Sequence, residues 1–260
     1  MRMLEFYAYH SPLRNIHPIE KIVFALIPLI LNILFQNIYT SLFIFFIMVV
    51  ITIIFGKIPV RIYWKLLLIP VTFLLSSILV ILLSFTESPL EGAIFQSIIG
   101  PVVISIMKES IEKALTLFSV SLSSISCLYF LVLTTTIQDV LFGLQCLKVP
   151  QVLLDLIALI YRFIFLFLDS SRTIFLAQKA RLGHGSSIKT IKSIGLIISA
   201  LFVKVFHEMK DLNNAVNARS LNGYMAVIAR TIQFSRSSWI FIMLISILII
   251  AFNFTVGRAG

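Results

Sequence analysis

The sequence predicts an all-α, polytopic membrane protein of about five transmembrane helices, with long cytoplasmic or interfacial helices inserted before the last of them. Two observations carry this. The residues AVILMFWYC make up 59% of the 260, mean hydropathy is +1.05 and charged residues are only 12%, against about 25% in an ordinary soluble domain. The apolar residues also fall in runs close to the roughly 20 helical residues needed to cross a hydrocarbon layer about 30 Å thick.

Residues 1–20, with Glu5, Tyr7, His10, Arg14 and Glu20, lack the basic start, apolar middle and small-residue cleavage site of a secretory signal, so the first span is expected to be retained. The spans are then Ile22–Phe35, Ile38–Phe55, Trp64–Ser84, Ala114–Thr134 and Trp239–Phe254. The fourth is less apolar than the others because of its serines and threonines, but nothing between Leu115 and Ile137 is charged. The expected organisation is a four-span membrane bundle over 1–137, cytoplasmic helices over 138–236 and a final span over 237–260.

Orientation follows from the cations, because Lys and Arg concentrate in cytoplasmic segments. Net charge is +10, and 18 of the 21 Lys and Arg lie in residues 1–21, in the Lys57, Arg61 and Lys65 connection, or in 138–236. That arrangement predicts a cytoplasmic N-terminus and an outside C-terminus. A basic balance also suits nucleic acid, but no soluble basic domain or aromatic and basic platform is present, and a nucleic-acid partner is not expected.

The insert between the fourth and last spans is neither a soluble domain nor a polar linker. Pro150 suits the first turn of a helix, and nothing from Gln151 to Gln178 breaks it. On that helix Gln151, Asp155, Arg162 and Asp169 form one polar stripe on an otherwise apolar surface. Further on, Ile188, Ile191, Gly195, Ile198, Phe202, Val205, Met209, Leu212 and Val216 recur at steps of three and four, a seam for packing on a partner or within the chain. The alternative is a membrane hairpin. It would place Lys179, Arg181, Lys189 and Lys192 outside, against the charge rule, and Ile194–Phe206 is short for a span.

Each long helix of the insert closes on a similar signature, Ala177-Gln-Lys-Ala-Arg-Leu-Gly183 and Ala215-Val-Asn-Ala-Arg-Ser-Leu-Asn-Gly223, with arginines 38 residues apart. Two such signatures beside a five-span bundle resemble the transmembrane T component of energy-coupling factor transporters. The lead-in Ser11-Pro-Leu-Arg-Asn-Ile-His-Pro-Ile-Glu-Lys21 and the segment Ile58-Pro-Val-Arg-Ile-Tyr-Trp-Lys-Leu-Leu-Leu-Ile-Pro70 are similar to the same family. With Tyr7-Ala-Tyr-His10, the chain looks most like the cobalt-type branch, CbiQ. It departs from the family's Ala-Arg-Gly at Leu182 and Ser220, with glycines only at 183 and 223.

The resemblance implies a non-catalytic subunit that joins two ATP-binding cassette ATPases to a small substrate-binding membrane subunit, the S component or cobalt-type M subunit. It implies ATPase docking by Ala180, Arg181, Gly183, Ala218, Arg219 and Gly223. These residue types suit docking: alanine allows close backbone approach, glycine takes the left-handed conformation that stops a helix, and a guanidinium at a helix C-terminus offers a planar fork to a partner carboxylate. Helix capping or lipid headgroups would also use such arginines. A nickel or vitamin transporter would use a similar subunit, and an autonomous transporter or channel would need polar groups within the spans.

No cofactor or metal is expected on this chain. It has no phosphate-binding glycine loop and no HExxH, Cys127 and Cys146 form no CxxC, and His10 and His17 suit helix-start or headgroup roles better than ligation. Glu87, Glu91, Glu109 and Glu112 are expected to form a solvated outer face.

Overall fold

The computed structural model describes residues 2–82, 84–86, 93–99, 102–180, 187–218 and 235–259. The chain forms two compact units, Met1–Val140 with Thr231–Gly260, and Leu141–Arg230. The first is the membrane bundle and the second the insert.

The bundle opens with α1 (Arg2–His10) and a single 3-10 turn, Pro12–Asn15. Two caps then set the start of the first long helix. Ser11 Oγ accepts from Leu13 N at 3.3 Å, and His17 Nδ1 accepts from Ile19 N at 3.3 Å, with Pro18 at the first helical position. The acceptor role requires a neutral ring nitrogen, and burial keeps His17 so by lowering its pKa from the ordinary 6.5. The helix α2 therefore runs Pro18–Phe35, four residues earlier than the apolar run Ile22–Phe35 indicated. Gln36, at φ 45°, takes the left-handed turn, and Asn37 Oδ1 caps α3 (Ile38–Ile54) by accepting from Tyr39 N at 3.0 Å.

Helix α4 spans Val60–Leu82, α5 Lys108–Thr134 and α9 Arg236–Ala259, each on a predicted span. The polar character of α5 has a packing reason. Ser119, Ser123 and Ser126 lie on one buried line, where small side chains let α2, α3 and α4 pack on the helix. Hydrogen bonds stitch it in place: Asn32 Nδ2 donates to Val120 O at 2.9 Å and to Ser124 Oγ at 3.0 Å, and Tyr63 Oη pairs with Ser126 Oγ at 2.7 Å. Tyr129 Oη donates to Leu66 O at 2.9 Å. The apolar core joins Phe24 and Ala25 of α2, Ile44, Met48 and Ile51 of α3, Cys127 and Phe130 of α5, and Ile242, Ile245 and Ile249 of α9. Phe43 stacks on Phe252 at 4.4 Å, and Thr40 Oγ1 donates to Asn253 Oδ1 at 3.2 Å, holding α9 on α3.

One feature was not predicted. Between α4 and α5 an antiparallel sheet, in the order β1-β3-β2, joins Ser84–Thr86, Ala93–Ile99 and Val102–Met107, with Ser105 opposite both Ser84 and Gln96. Glu87 and Glu91 lie outside the described residues; Glu109 belongs to α5, and Glu112 is exposed.

Helix α6 (Ile137–Cys146) carries the chain from the bundle into the insert, which consists of α7 (Gln151–Ala180) and α8 (Ser187–Ala218). At 30 and 32 residues these are the longest helices described. Among the described residues six helices, α2, α4, α5, α7, α8 and α9, are long and apolar enough to cross a membrane, while α3 at 17 residues is shorter. Length and composition therefore admit two more spans than the five read from the sequence, since α7 and α8 meet both criteria and α3 was already counted.

Candidate coupling site

The insert is where the sequence placed its functional residues. Helix α7 is described through Ala180 and α8 through Ala218, so both signature alanines stand at the last described position of their helices. Arg181, Gly183, Arg219 and Gly223 lie outside the described residues. The polar stripe of α7 begins as a bonded pair, Gln151 Nε2 donating to Asp155 Oδ1 at 3.1 Å, while Arg162 and Asp169 are exposed.

Between α7 and α8 lies a wholly apolar cleft of about 360 Å³, lined by residues of α7 from Leu156 to Leu168 and by Val205 and Met209 of α8. The buried line of α8 is Ser193, Ile197 and Leu201. That is the face next to the predicted seam. Of the seam residues, Val205 and Leu212 are half-buried, whereas Ile191, Ile198, Phe202 and Met209 are 72%, 62%, 71% and 51% exposed. Three-and-four periodicity does not select one face on a helix that is apolar on several, and the packed face here is the adjacent one.

Sequence reasoning missed a second set of residues, in the bundle. Glu20 and Lys21 read as charges flanking the first span, yet they sit in the first turns of α2 at 1% and 2% exposure. Lys21 Nζ donates to Thr134 O at 3.3 Å and to Asp139 Oδ2 at 3.5 Å. Asp139 also closes a reciprocal cap at the start of α6: its Oδ2 accepts from Thr136 N at 3.4 Å, and its own N–H donates to Thr136 Oγ1 at 3.3 Å. Glu20 Oε1 accepts from Ser235 N at 2.9 Å, and Ser235 O in turn accepts from Trp239 N at 3.3 Å in the first turn of α9. The signal that pointed here was Pro18: a proline at the first helical position moves the helix start ahead of both charges.

The histidines of the lead-in serve local structure. His10 Nδ1 donates to Phe6 O at 2.8 Å, and His17 is the cap already described. Among the described residues no group of three or more His, Cys, Asp or Glu is placed to hold a metal ion, and both cysteines are free thiols, Cys127 buried and Cys146 exposed.

Comparison with known proteins identifies the family. The profile of the CbiQ family, described as cobalt transport protein, matches residues 10–227. An uncharacterized protein of Methanocaldococcus jannaschii is 30% identical over 216 residues, covering 83% of this chain and 79% of its own. A fused cobalt transport protein CbiMQ of Methanocorpusculum labreanum is 32% identical over 225 residues, 86% of this chain but 37% of its own length. Cobalt transport protein CbiQ of Rhodobacter capsulatus is 26% identical over 174 residues, covering 67% of this chain and 66% of its own. The chain is a multi-pass membrane protein that belongs to the CbiQ cobalt transport protein family, the transmembrane T components of energy-coupling factor transporters.

Proposed function

We propose that this chain converts ATPase opening and closing into movement of a substrate-binding membrane subunit, and that the substrate is cobalt ion. The observation that carries the reading is the insert: two helices described over 30 and 32 residues that lead into two matching signatures, with much of their apolar surface left uncovered by the chain. Two helix ends suit two ATPase copies. The uncovered lines of α7 and α8 and the cleft between them suit an apolar partner, and the fused relative, whose name joins M and Q, supports an M-type subunit as that partner. ATP hydrolysis belongs to the partner chains, since the sequence has no phosphate-binding glycine loop.

The autonomous-transporter reading is weaker. It requires ionisable groups along a path through the spans, whereas the buried Glu20 and Lys21 sit together at one end of α2 and each already holds a partner. Nickel or a vitamin in place of cobalt would leave the same coupling device, because the substrate pocket lies on the other membrane subunit.

Arg181→Ala and Arg219→Ala should each weaken copurification of the ATPases and lower cobalt uptake, with the double variant worse than either. Truncating a charged partner at a buried interface costs about 2–5 kcal/mol. Lysine at either position should rescue only partly, since it keeps the charge and loses the planar fork. A double variant with full assembly and full uptake would reduce these arginines to helix caps. The charge asymmetry supports an N-terminus inside, a C-terminus outside and a cytoplasmic link 180–192. In intact cells a Ser187→Cys variant should resist a membrane-impermeant thiol reagent; labelling from outside would instead make α7 and α8 a membrane hairpin.

A further inference from the structure

Adjacent residues of α2 hold the two chain segments that connect the bundle to the insert. The chain leaves the bundle through Thr134 to Asp139, where Lys21 binds the last carbonyl of α5 and the capping carboxylate of α6. It returns at Ser235, whose N–H is bound by Glu20. Both contacts lie within the bundle unit. We propose that Glu20 and Lys21 form the mechanical joint through which movement of the insert reaches the membrane bundle. This rests on the coupling function proposed above and names the positioning residues that would deliver it.

Three features of the site support a transmitting role rather than a purely stabilising one. A buried ion pair is weak evidence for stability, because its desolvation cost offsets much of the attraction, and in some proteins such pairs serve to fix geometry. The Lys21–Asp139 pair, with side chains 2% and 14% exposed, fixes where α6 starts relative to α2. From α2 the path continues into the bundle core through Phe24 against Phe130 at 5.0 Å and through Asn32 on α5.

The third feature is space. Beside the joint lies a cavity of about 230 Å³, with Glu20, Lys21 and Phe24 on the α2 side and Ser237, Ser238 and Phe241 on the α9 side. A close-packed interface resists small displacements because every shift meets neighbouring atoms. This open cleft leaves the first turn of α9 without close-packed neighbours on that side of α2, so the turn has room to shift. Glu20 Oε2, buried and without a hydrogen-bond partner among the described residues, is a free acceptor for a second arrangement of that turn.

The test uses the assembled complex of this chain with its ATPases and substrate subunit in vesicles, with ATP hydrolysis and cobalt uptake measured together. The variant Lys21→Met with Asp139→Asn removes the charge pair while asparagine can still cap α6. Glu20→Leu releases Ser235, and Glu20→Gln keeps an acceptor for it. The first two should retain copurifying ATPases and ATP hydrolysis but lose about tenfold or more in uptake per ATP, within the usual range of coupling energies. Glu20→Gln should stay near wild type. Unchanged uptake per ATP in assembled Glu20→Leu and in the double variant would overturn the proposal.

Hydrogen exchange on the purified chain gives a second readout that does not depend on transport. Protection should fall at residues 135–140 and 235–239 in those two variants and hold in the cores of α3 and α5. Loss throughout α3 and α5 would make the pair an ordinary bundle contact and refute the joint. Should the wild-type complex itself fail to carry cobalt, the fault lies with the functional reading, and hydrogen exchange still decides whether the joint exists.

Discussion

Ile44 and Ile198 are the same residue in two helices of different make-up, α3 without a charged residue and α8 with several lysines, and the chain treats them oppositely. Ile44, in α3 of the bundle, is fully buried among Phe24, Met48, Cys127 and Phe130, while Ile198, in α8 of the insert, is 62% exposed. The difference extends to the units around them. In the bundle, polar side chains on α2, α4 and α5 bond across helix interfaces, and the apolar core draws on α2, α3, α5 and α9. In the insert, buried side chains are few, and large apolar groups such as Val152, Leu176, Ile191 and Phe202 stand exposed as Ile69 and Phe73 do on the outer face of α4, but with little buried core behind them. A membrane bundle gains most from close packing and internal hydrogen bonds, since lipid is as apolar as leucine. A helix that leaves an apolar line unpacked has it available for another surface.

The largest effect should therefore fall in the bundle. Ile44→Ala removes a side chain with no exposed area from the centre of the core, and the surrounding helices cannot fully close on the gap. The expected cost is about 2–5 kcal/mol, read as a lower unfolding midpoint of the purified chain in detergent. A loss under about 1 kcal/mol would mean that α3 and α5 pack more loosely than their contacts imply.

Element existence was legible where one physical cause dominated. Hydropathy alone located α2, α3, α4, α5 and α9, because a run of apolar residues of spanning length has few other uses. Pro150 located the start of α7. What was not legible depended on distant partners. Whether Lys21 snorkels outward or turns inward is decided by Asp139, 118 residues away, and by the Thr134 carbonyl freed at the end of α5. Local sequence shows only a cation beside an apolar run. The sheet was missed for a related reason: Ala93–Ile99 and Val102–Met107 are short apolar segments with no pronounced alternation, and pairing partners rather than periodicity define them. The seam of α8 shows a third limit, since Ile197 and Ile198 are chemically identical neighbours and only the fold separates their faces.

That last pair gives the finest test of the contrast between the units. Ile198→Ala and Phe202→Ala alter side chains that are 62% and 71% exposed, so the purified chain should change in stability by no more than about 0.5 kcal/mol. Ile197→Ala, one residue away at 9% exposure, should cost more than either, because its contacts are made within the chain. The order should reverse when the complex is assayed. Covering an isoleucine or phenylalanine fully is worth about 1.5–3 kcal/mol relative to leaving it in water. If a partner covers the seam, Ile198→Ala and Phe202→Ala should reduce recovery of the substrate-binding subunit while the ATPases, proposed above to dock on the helix ends, stay bound. Ile197→Ala should reduce recovery only as far as it destabilises the chain. A destabilisation by Ile198→Ala comparable to that of Ile44→Ala would place the seam inside the folded chain and end the comparison. Normal recovery of both partners from the Ile198→Ala, Phe202→Ala double variant would leave the exposed line to lipid, and the substrate subunit would have to dock on the α7 side of the cleft.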